Sequence, residues 1–199
     1  MTDVSLDQLL QAIGADDDEA AEAAIIELAD HECDALALLL DLHTSDNADY
    51  RWWAVRGLAA VAEQSPDCRE ATMPALLLSL GDPDDAIRCV APLALGQMRA
   101  ICAIPAMTVL LSDQSGWVRG AAADALAMIG EPAVPALGTA LHDERDGVRV
   151  RAAYALYRIH SERSAPWLFP ALNDPNHLVQ SYAYEALDEM GLLDTILVQ

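Results

Sequence analysis

Lysine is absent from this chain of 199 residues, so all eleven of its basic residues are arginine. The chain also has 32 acidic residues, and together the two sets give a formal net charge of −21 at pH 7. A field of that sign repels phosphate backbones and anionic lipid head groups, so we expect neither nucleic acid nor a membrane surface as a partner. The absence of lysine also excludes Schiff-base chemistry through a side-chain amine.

The acidic excess has three interpretations, and the composition is compatible with each. It could serve solubility, or it could reflect a salt-adapted or GC-rich host that favours aspartate, alanine and arginine over lysine. It could also attract a basic partner by speeding its approach.

Long apolar runs are missing too, since none reaches the roughly 20 residues that a membrane-spanning helix needs. The first ten residues, MTDVSLDQLL, have no basic segment ahead of an apolar stretch. We therefore expect no secretory signal and a cytoplasmic location. The four cysteines form no C-x-x-C pair, and in that compartment we expect them to be thiols. They are Cys33, Cys68, Cys89 and Cys102.

Motifs that carry chemistry are also missing. The sequence has no phosphate-binding G-x-x-x-x-G-K-[ST] or G-x-G-x-x-G loop, no G-x-S-x-G elbow and no H-E-x-x-H zinc motif. His31, Glu32 and Cys33 form one candidate metal cluster. It contains a single His-Glu pair, which we place between helices, and we expect no metal there. We expect exposed side chains for the histidines in turns and at helix ends, His43, His142, His160 and His177. We therefore predict no catalytic residue, no cofactor and no metal, and an interaction module rather than an enzyme.

What the sequence does contain is an internal repeat. Four segments align: MPALLLSLGD (73–82), IPAMTVLLSD (104–113), VPALGTALHD (134–143) and APWLFPALND (165–174). The second residue of each is proline, at Pro74, Pro105, Pro135 and Pro166, in steps of 31, 30 and 31 residues. Proline suits a first helical turn, so each segment predicts a short helix A that begins there. The closing aspartate suits the N-cap of a following helix B.

Helix B repeats as well, over residues 84–98, 115–129, 146–159 and 177–190, and two weaker copies of the hairpin lie upstream at 6–29 and 35–62. We predict an all-α, right-handed α-solenoid of about six helical hairpins. It would form a single domain over 1–199, with repeats near 5–33, 34–71, 72–103, 104–133, 134–164 and 165–199.

The pattern resembles the HEAT-like repeats named after phycobilisome lyases, whose consensus joins a D-P-D turn to V-R-x-x-A-x-x-A-L. It is carried by DPDDAIRCVAPLAL (82–95), DQSGWVRGAAADAL (113–126), DERDGVRVRAAYAL (143–156) and, in part, DPNHLVQSYAYEAL (174–187). The resemblance implies a polar ladder along the stack, interrupted at Gln180: Asp82, Arg88, Asp113, Arg119, Asp143, Arg149 and Asp174. It also implies a rival function, as a bilin lyase, a lyase subunit or a chaperone-like factor in phycobiliprotein chromophore handling.

In such repeats helix B lines the concave side, and its face away from the core falls one, four, five and eight places after the ladder arginine. A solvated face should be polar, but this one holds large side chains and few charges. Aromatic residues and arginine are the usual anchors of interfaces. We predict that a protein or peptide partner, or a second copy in a homodimer, binds Trp52, Arg56, Leu93, Tyr154, Tyr157 and Tyr184. The alternative is that curvature buries these residues between helices.

The cysteine prediction is tested by thiol titration. After unfolding without reductant, all four cysteines should react, because a reducing compartment keeps them as thiols. A carefully prepared sample with two unreactive cysteines would indicate a disulfide and a different compartment.

Overall fold

The computed structural model describes residues 2–30 and 32–193, and within this part of the chain every regular element is a helix. Twelve α-helices form six hairpins, which confirms the all-α repeat fold. They are α1 (Thr2–Gly14), α2 (Asp18–Ala29), α3 (Glu32–Leu42), α4 (Ala48–Gln64), α5 (Pro66–Ser79), α6 (Asp85–Gln97), α7 (Ile104–Leu110), α8 (Gly116–Ile129), α9 (Val134–Ala140), α10 (Asp146–Ile159), α11 (Ala165–Ala171) and α12 (His177–Glu189). Single turns of 3₁₀ helix precede α7, α9 and α11.

The helices fall into two compact units, which meet in the sequence at Met98 and Arg99. The first unit holds α1–α6 and the second holds α7–α12. Within each unit the second helices of successive hairpins, the B helices, pack against one another. In the first unit α4 contacts α2 and α6, and in the second unit α10 contacts α8 and α12. The single domain over 1–199 stays a prediction.

Leucine and alanine build the core of both units. The leucines that recur at four-residue spacing are fully buried in many hairpins, and each contributes about 1.5–3 kcal/mol through burial. In the second unit they include Leu111, Leu126, Leu137 and Leu156. The repeated alanine of helix B has no exposed surface at Ala91, Ala122, Ala152 and Ala183. A methyl side chain at this position allows the neighbouring helices to approach closely.

Three of the four repeated prolines occupy the first turn of a helix, as predicted. They are Pro105, Pro135 and Pro166. Pro74 does not, because α5 begins earlier, at Pro66, and Pro74 lies inside it. Ser65 is the N-cap of this longer helix, and its side chain accepts a backbone N–H of the first turn. The Ser-Pro pair is a complete helix start in itself, which is why the prediction for Pro74 was wrong.

The repeated aspartates do not occupy the N-cap positions that the sequence predicted for them. Each lies two residues before the actual N-cap, which is Asp84, Ser115, Arg145 or Asn176. Its carboxylate accepts the backbone N–H of that residue at 2.8 to 2.9 Å. The aspartate therefore fixes the turn between helices A and B as an Asx turn. Its remaining lone pairs stay available to a second partner.

For two of these aspartates the second partner is an arginine from the preceding hairpin. Arg51 donates from Nε and Nη2 to the two carboxylate oxygens of Asp82 at 2.9 and 3.0 Å. Arg149 binds Asp174 in the same way at 2.8 and 3.1 Å. In both arginines Nη1 donates to two carbonyls of the arginine's own loop. One guanidinium thus joins two consecutive inter-helix loops.

Contacts within the same inter-helix loop recur at the other ladder positions. Arg88 and Arg119 each donate to two carbonyls of their own loop, at 2.7 to 3.1 Å. Asp143 pairs with the exposed Arg145 two residues later, at 2.8 Å for each oxygen. Gln180 retains the loop contact, because its Nε2 donates to the carbonyl of Asp174 at 2.7 Å. Gln180 therefore lacks the charge of a ladder arginine but keeps the hydrogen bond to the loop.

Arg51 is the ladder member that the sequence comparison missed. It lies 37 residues before Arg88, whereas Arg88 and Arg119 are 31 apart, so its hairpin falls out of the common register. In the later B helices an alanine follows the ladder position by three residues and a leucine by seven, and Ala54 and Leu58 follow Arg51 in the same way. That spacing would have found it.

The ladder pairs change how the aspartates titrate. Burial opposes the ionisation of Asp82, but hydrogen bonds from Arg51 and from the backbone outweigh it and lower its pKa. The same balance, with Arg149, lowers the pKa of Asp174. At Asp143 the hydrogen bonds from Arg145 lower the pKa to about 2. All three carboxylates are therefore ionised at neutral pH.

Arg149→Ala should lower the free energy of unfolding by about 2–4 kcal/mol, because it leaves Asp174 buried without its partner. Arg145→Ala is the matched control: it removes another bidentate pair, but that arginine side chain is 62% exposed, against 10% for Arg149. We expect the control to leave stability nearly unchanged. Urea unfolding of both variants gives the two values, and equal losses would contradict the structural role of the ladder.

Acid should weaken the contribution of Asp174. Its pKa is lowered on folding, so the stability it adds is present above the unfolded-state pKa of about 4 and is lost as the pH falls through the folded value. The cost of Asp174→Asn, measured against wild type by urea unfolding, should therefore shrink below about pH 4. A cost that stays constant from pH 7 to pH 3 would show that the carboxylate charge is not what stabilises this loop.

Candidate functional site

The predicted face of helix B is only partly open. The residues four places after the ladder arginine are buried in the four B helices from α4 to α10: Val55, Pro92, Ala123 and Ala153. At the fourth place after the arginine the structure therefore shows burial, which was the alternative to an open binding face. The residues one, five and nine places after the arginine, and the residue two places before it, are half-exposed or exposed, and we call this surface the helix B face.

In the first unit the helix B face carries Trp52, Arg56 and Leu93, all half-buried. The ring of Trp52 meets the buried Trp53 edge-on, with centroids 4.8 Å apart. The guanidinium of Arg56 lies 5.6 Å from the centroid of Trp52 and pairs with Glu22 on α2. Arg56 and Leu93 also line a groove of about 260 Å³ between α2, α4 and α6. The structure therefore brings these three predicted residues to one side of the unit.

A second cleft of the first unit, of about 290 Å³, joins acidic and aromatic side chains at the start of α2 and α4. It is lined by Ile13, Asp16, Asp17, Asp18, Asp49, Trp52, Trp53 and Ala86. Asp17 is already engaged as the N-cap of α2, where it accepts the backbone N–H of Ala20 at 3.0 Å. Aromatic walls beside carboxylates suit a cationic side chain.

In the second unit Tyr154 lies at the centre of a polar cluster. Its hydroxyl donates to Asp124 on α8 at 2.9 Å. Arg158 donates from Nη1 to the oxygen of Tyr154 at 2.7 Å and to Asp124 at 3.2 Å. The guanidinium also lies 5.7 Å from the centroid of the Tyr154 ring. Burial and the hydrogen bond to Asp124 raise the pKa of Tyr154, so its hydroxyl stays protonated at neutral pH.

Tyr157 extends this cluster from α10 to α12. Its hydroxyl donates to Glu189 at 3.2 Å, and its ring stacks on Tyr182 with centroids 6.0 Å apart. Tyr182 in turn meets Tyr154 edge-on at 5.6 Å. Three tyrosines from two neighbouring B helices therefore form one aromatic surface that is only half-buried.

Tyr184 lies on a different surface from Tyr154 and Tyr157. It occupies the fourth place after the ladder position, which is buried in the preceding B helices, yet it is 55% exposed. No helix stacks on that side of α12 in the part of the chain that the structure describes. Tyr184 therefore lies on an open side of α12, the last helix of this unit.

Trp117, in the first turn of α8, is the functional candidate that sequence reasoning missed. Its side chain is 82% exposed. At 100° per residue it shares one side of α8 with Asp124 and Met128. The equivalent residue of α12, Leu178, is also exposed. Trp117 precedes the ladder arginine by two residues, outside the places that were compared, and a large apolar residue off the core stripe was the signal that could have found it.

The histidines and cysteines that the structure describes form no further candidate site. His43 was expected to be exposed, but it is 8% exposed, with Nε2 2.8 Å from Ser79 Oγ, and burial lowers its pKa. The other histidines at helix ends, His142, His160 and His177, are exposed as expected. His31 lies outside the described residues, as do the side chains of Glu32 and Cys33, and the remaining three cysteines are free thiols.

The described residues contain no group of three or more histidine, cysteine, aspartate or glutamate side chains placed to hold a metal ion. Nor does any helix within 2–30 and 32–193 combine the length and the apolar character needed to cross a membrane.

A family model of HEAT repeats matches residues 73–156 and 134–196, which together span more than half of the chain. The chain belongs to the HEAT repeat family. The match is to HEAT repeats in general and does not single out the phycobilisome lyase type. No match was found among curated proteins.

Solved structures similar to this HEAT repeat protein are helical repeat proteins. YibA of E. coli aligns with a TM-score of 0.64 at 20% identity, over 96% of this chain and 74% of that one. The archaeal HEAT-like repeats protein of Thermococcus onnurineus gives 0.60 at 15% identity, over 85% and 76%. A designed armadillo repeat protein in complex with the peptide (KR)4 gives 0.54 at 20% identity, over 92% and 98%. At these identities the likeness shows the fold alone.

Proposed function

We propose that this HEAT repeat protein is a non-catalytic interaction module that binds a protein or peptide segment on its helix B faces. The observation that carries the proposal is the exposure of aromatic side chains there, above all Trp117 in the second unit. A tryptophan or tyrosine covers about 150–250 Å² on burial, so a few such residues supply most of an interface's energy. The peptide complex of a designed armadillo repeat protein of similar fold supports this type of partner.

A basic partner fits the charges. The chain carries 32 acidic residues and only 11 basic ones, and the cleft beside Trp52 is rimmed by aspartates. Opposite charge speeds the encounter of two proteins and makes its rate fall with added salt. The cleft can take the end of a cationic side chain between aromatic ring and carboxylate.

Two other functions stay predictions. Bilin handling is supported by the repeat resemblance alone, and a visible spectrum of the pure protein mixed with a linear tetrapyrrole tests it directly. Self-association through the same faces would form a symmetric dimer, which hides the aromatic residues equally well. Light scattering over a concentration series distinguishes a homodimer from a monomer that binds a different protein.

The binding proposal is tested with Trp117→Ala combined with Leu178→Ala. Both side chains are exposed, so the variant should keep the fold, while its capture of native partners should fall by about tenfold or more if these residues are interface anchors. The measurement is quantitative pull-down from the native lysate, with circular dichroism to check folding.

The matched control is Leu78→Ala combined with Val109→Ala, which removes exposed apolar side chains, 71% and 70% exposed, from helices A instead. The control should bind like wild type. If both pairs of substitutions weaken capture equally, or neither does, the helix B face is not the binding surface.

A further inference from the structure

The same three-part cluster occurs once in each unit. An arginine lies over the aromatic ring that precedes it by four residues on the same B helix. It also pairs with a carboxylate that lies 34 residues earlier, on the preceding B helix. In the first unit the members are Arg56, Trp52 and Glu22, and in the second they are Arg158, Tyr154 and Asp124.

Both clusters are open to solvent. The side chains of Arg158 and Asp124 are 47% and 37% exposed, and those of Arg56 and Glu22 are 39% and 43% exposed. Ion pairs as exposed as these contribute little to folding stability. A competing cation can therefore replace the resident arginine without unfolding the unit.

We propose that each cluster is a guanidinium-binding site that the protein's own arginine occupies, and that an arginine from a basic segment of the partner displaces it. The proposal rests on the proposed function and names the chemistry of its partner. A planar guanidinium both stacks on an aromatic face and donates parallel hydrogen bonds to a carboxylate, which a lysine ammonium does not match. Each resident arginine already contacts both walls, since its guanidinium carbon lies 5.6 or 5.7 Å from the ring centroid and one of its nitrogens pairs with the carboxylate.

In the second unit, contacts other than those of the arginine join the ring and the carboxylate. The hydroxyl of Tyr154 donates to Asp124 at 2.9 Å, and Tyr182 meets the Tyr154 ring edge-on at 5.6 Å. The ring and the carboxylate are therefore oriented by contacts that do not involve Arg158. Its departure frees an acceptor on Asp124 and the face of the ring for an incoming guanidinium.

The charge of the chain selects a basic segment as the occupant. The excess of 21 negative charges attracts arginine-rich peptides and repels acidic ones. Around the second cluster further carboxylates, Glu185 and Glu189, lie on the adjacent α12. These side chains extend the site beyond a single guanidinium, as an extended peptide requires.

The test is Arg158→Gln, with the alternating peptide (KR)4 as probe and calorimetry as readout. Removing the resident arginine should tighten binding by about three- to tenfold, since the peptide no longer competes for the ring and the carboxylate. Arg163→Gln is the matched control. Arg163 lies in the 3₁₀ turn before α11 and forms an exposed pair with Glu131, so the substitution removes the same charge. The control should change the affinity by less than about twofold.

A second variant and a second peptide sharpen the result. Arg56→Gln should act like Arg158→Gln, because it opens the equivalent site in the first unit. The gain should be smaller for octalysine than for (KR)4, since an ammonium stacks and pairs less well. Circular dichroism and light scattering of each variant show that it remains folded and unassociated.

Four results would overturn the proposal. Equal tightening by Arg158→Gln and Arg163→Gln would show an effect of total charge alone. Weaker binding by Arg158→Gln would mean that Arg158 itself contacts the peptide, and a doubled mass would mean that a second copy fills the site. Failure of wild type and all variants to bind (KR)4 would exclude guanidinium recognition. The proposed function has a separate test, and it fails if the variant with Trp117→Ala and Leu178→Ala captures partners as well as wild type does.

Discussion

The guanidinium that joins two consecutive inter-helix loops is the interaction on which the rest of the structure depends. In Arg149 one side chain binds the carbonyls of its own loop and the carboxylate of the next, and Asp174 in turn fixes the turn before α12. Here, and at Arg51, the guanidinium fixes the position of one hairpin relative to the next. The small alanines of the B helices then set how closely the hairpins pack, because nothing larger than a methyl group separates the helices there.

This packing decides which residues remain for function. It buries the position four places after the ladder arginine, as at Ala153, and leaves the position one residue further, as at Tyr154, half-exposed. The aromatic surface is therefore a narrow line along the B helices of each unit and not a broad face. Carboxylates from the neighbouring helix, such as Asp124, lie beside its rings and place negative charge on the proposed binding surface.

The sequence predicts the fold well because the repeated residues each have one strict local role. Proline, aspartate, arginine and alanine each recur where one backbone position or one close contact requires them. Prediction failed where a second signal competed, as at Pro74, where the earlier Ser65-Pro66 pair begins the helix. It failed at Arg51 because its hairpin is out of register.

The site was less predictable than the fold, because exposure depends on the neighbouring helices. Helical periodicity alone cannot distinguish Val55, buried in the packing of the B helices, from Trp52 beside the cleft. Trp117 and the clusters around Arg56 and Arg158 depend on pairs of helices that only the structure brings together. Hydroxyl-radical footprinting of the native complex tests the central claim most directly. The account predicts slower oxidation of Trp117, Met128 and Tyr154 when the partner is bound, with Leu78 and Val109 unchanged. Protection confined to Leu78 and Val109 would contradict it.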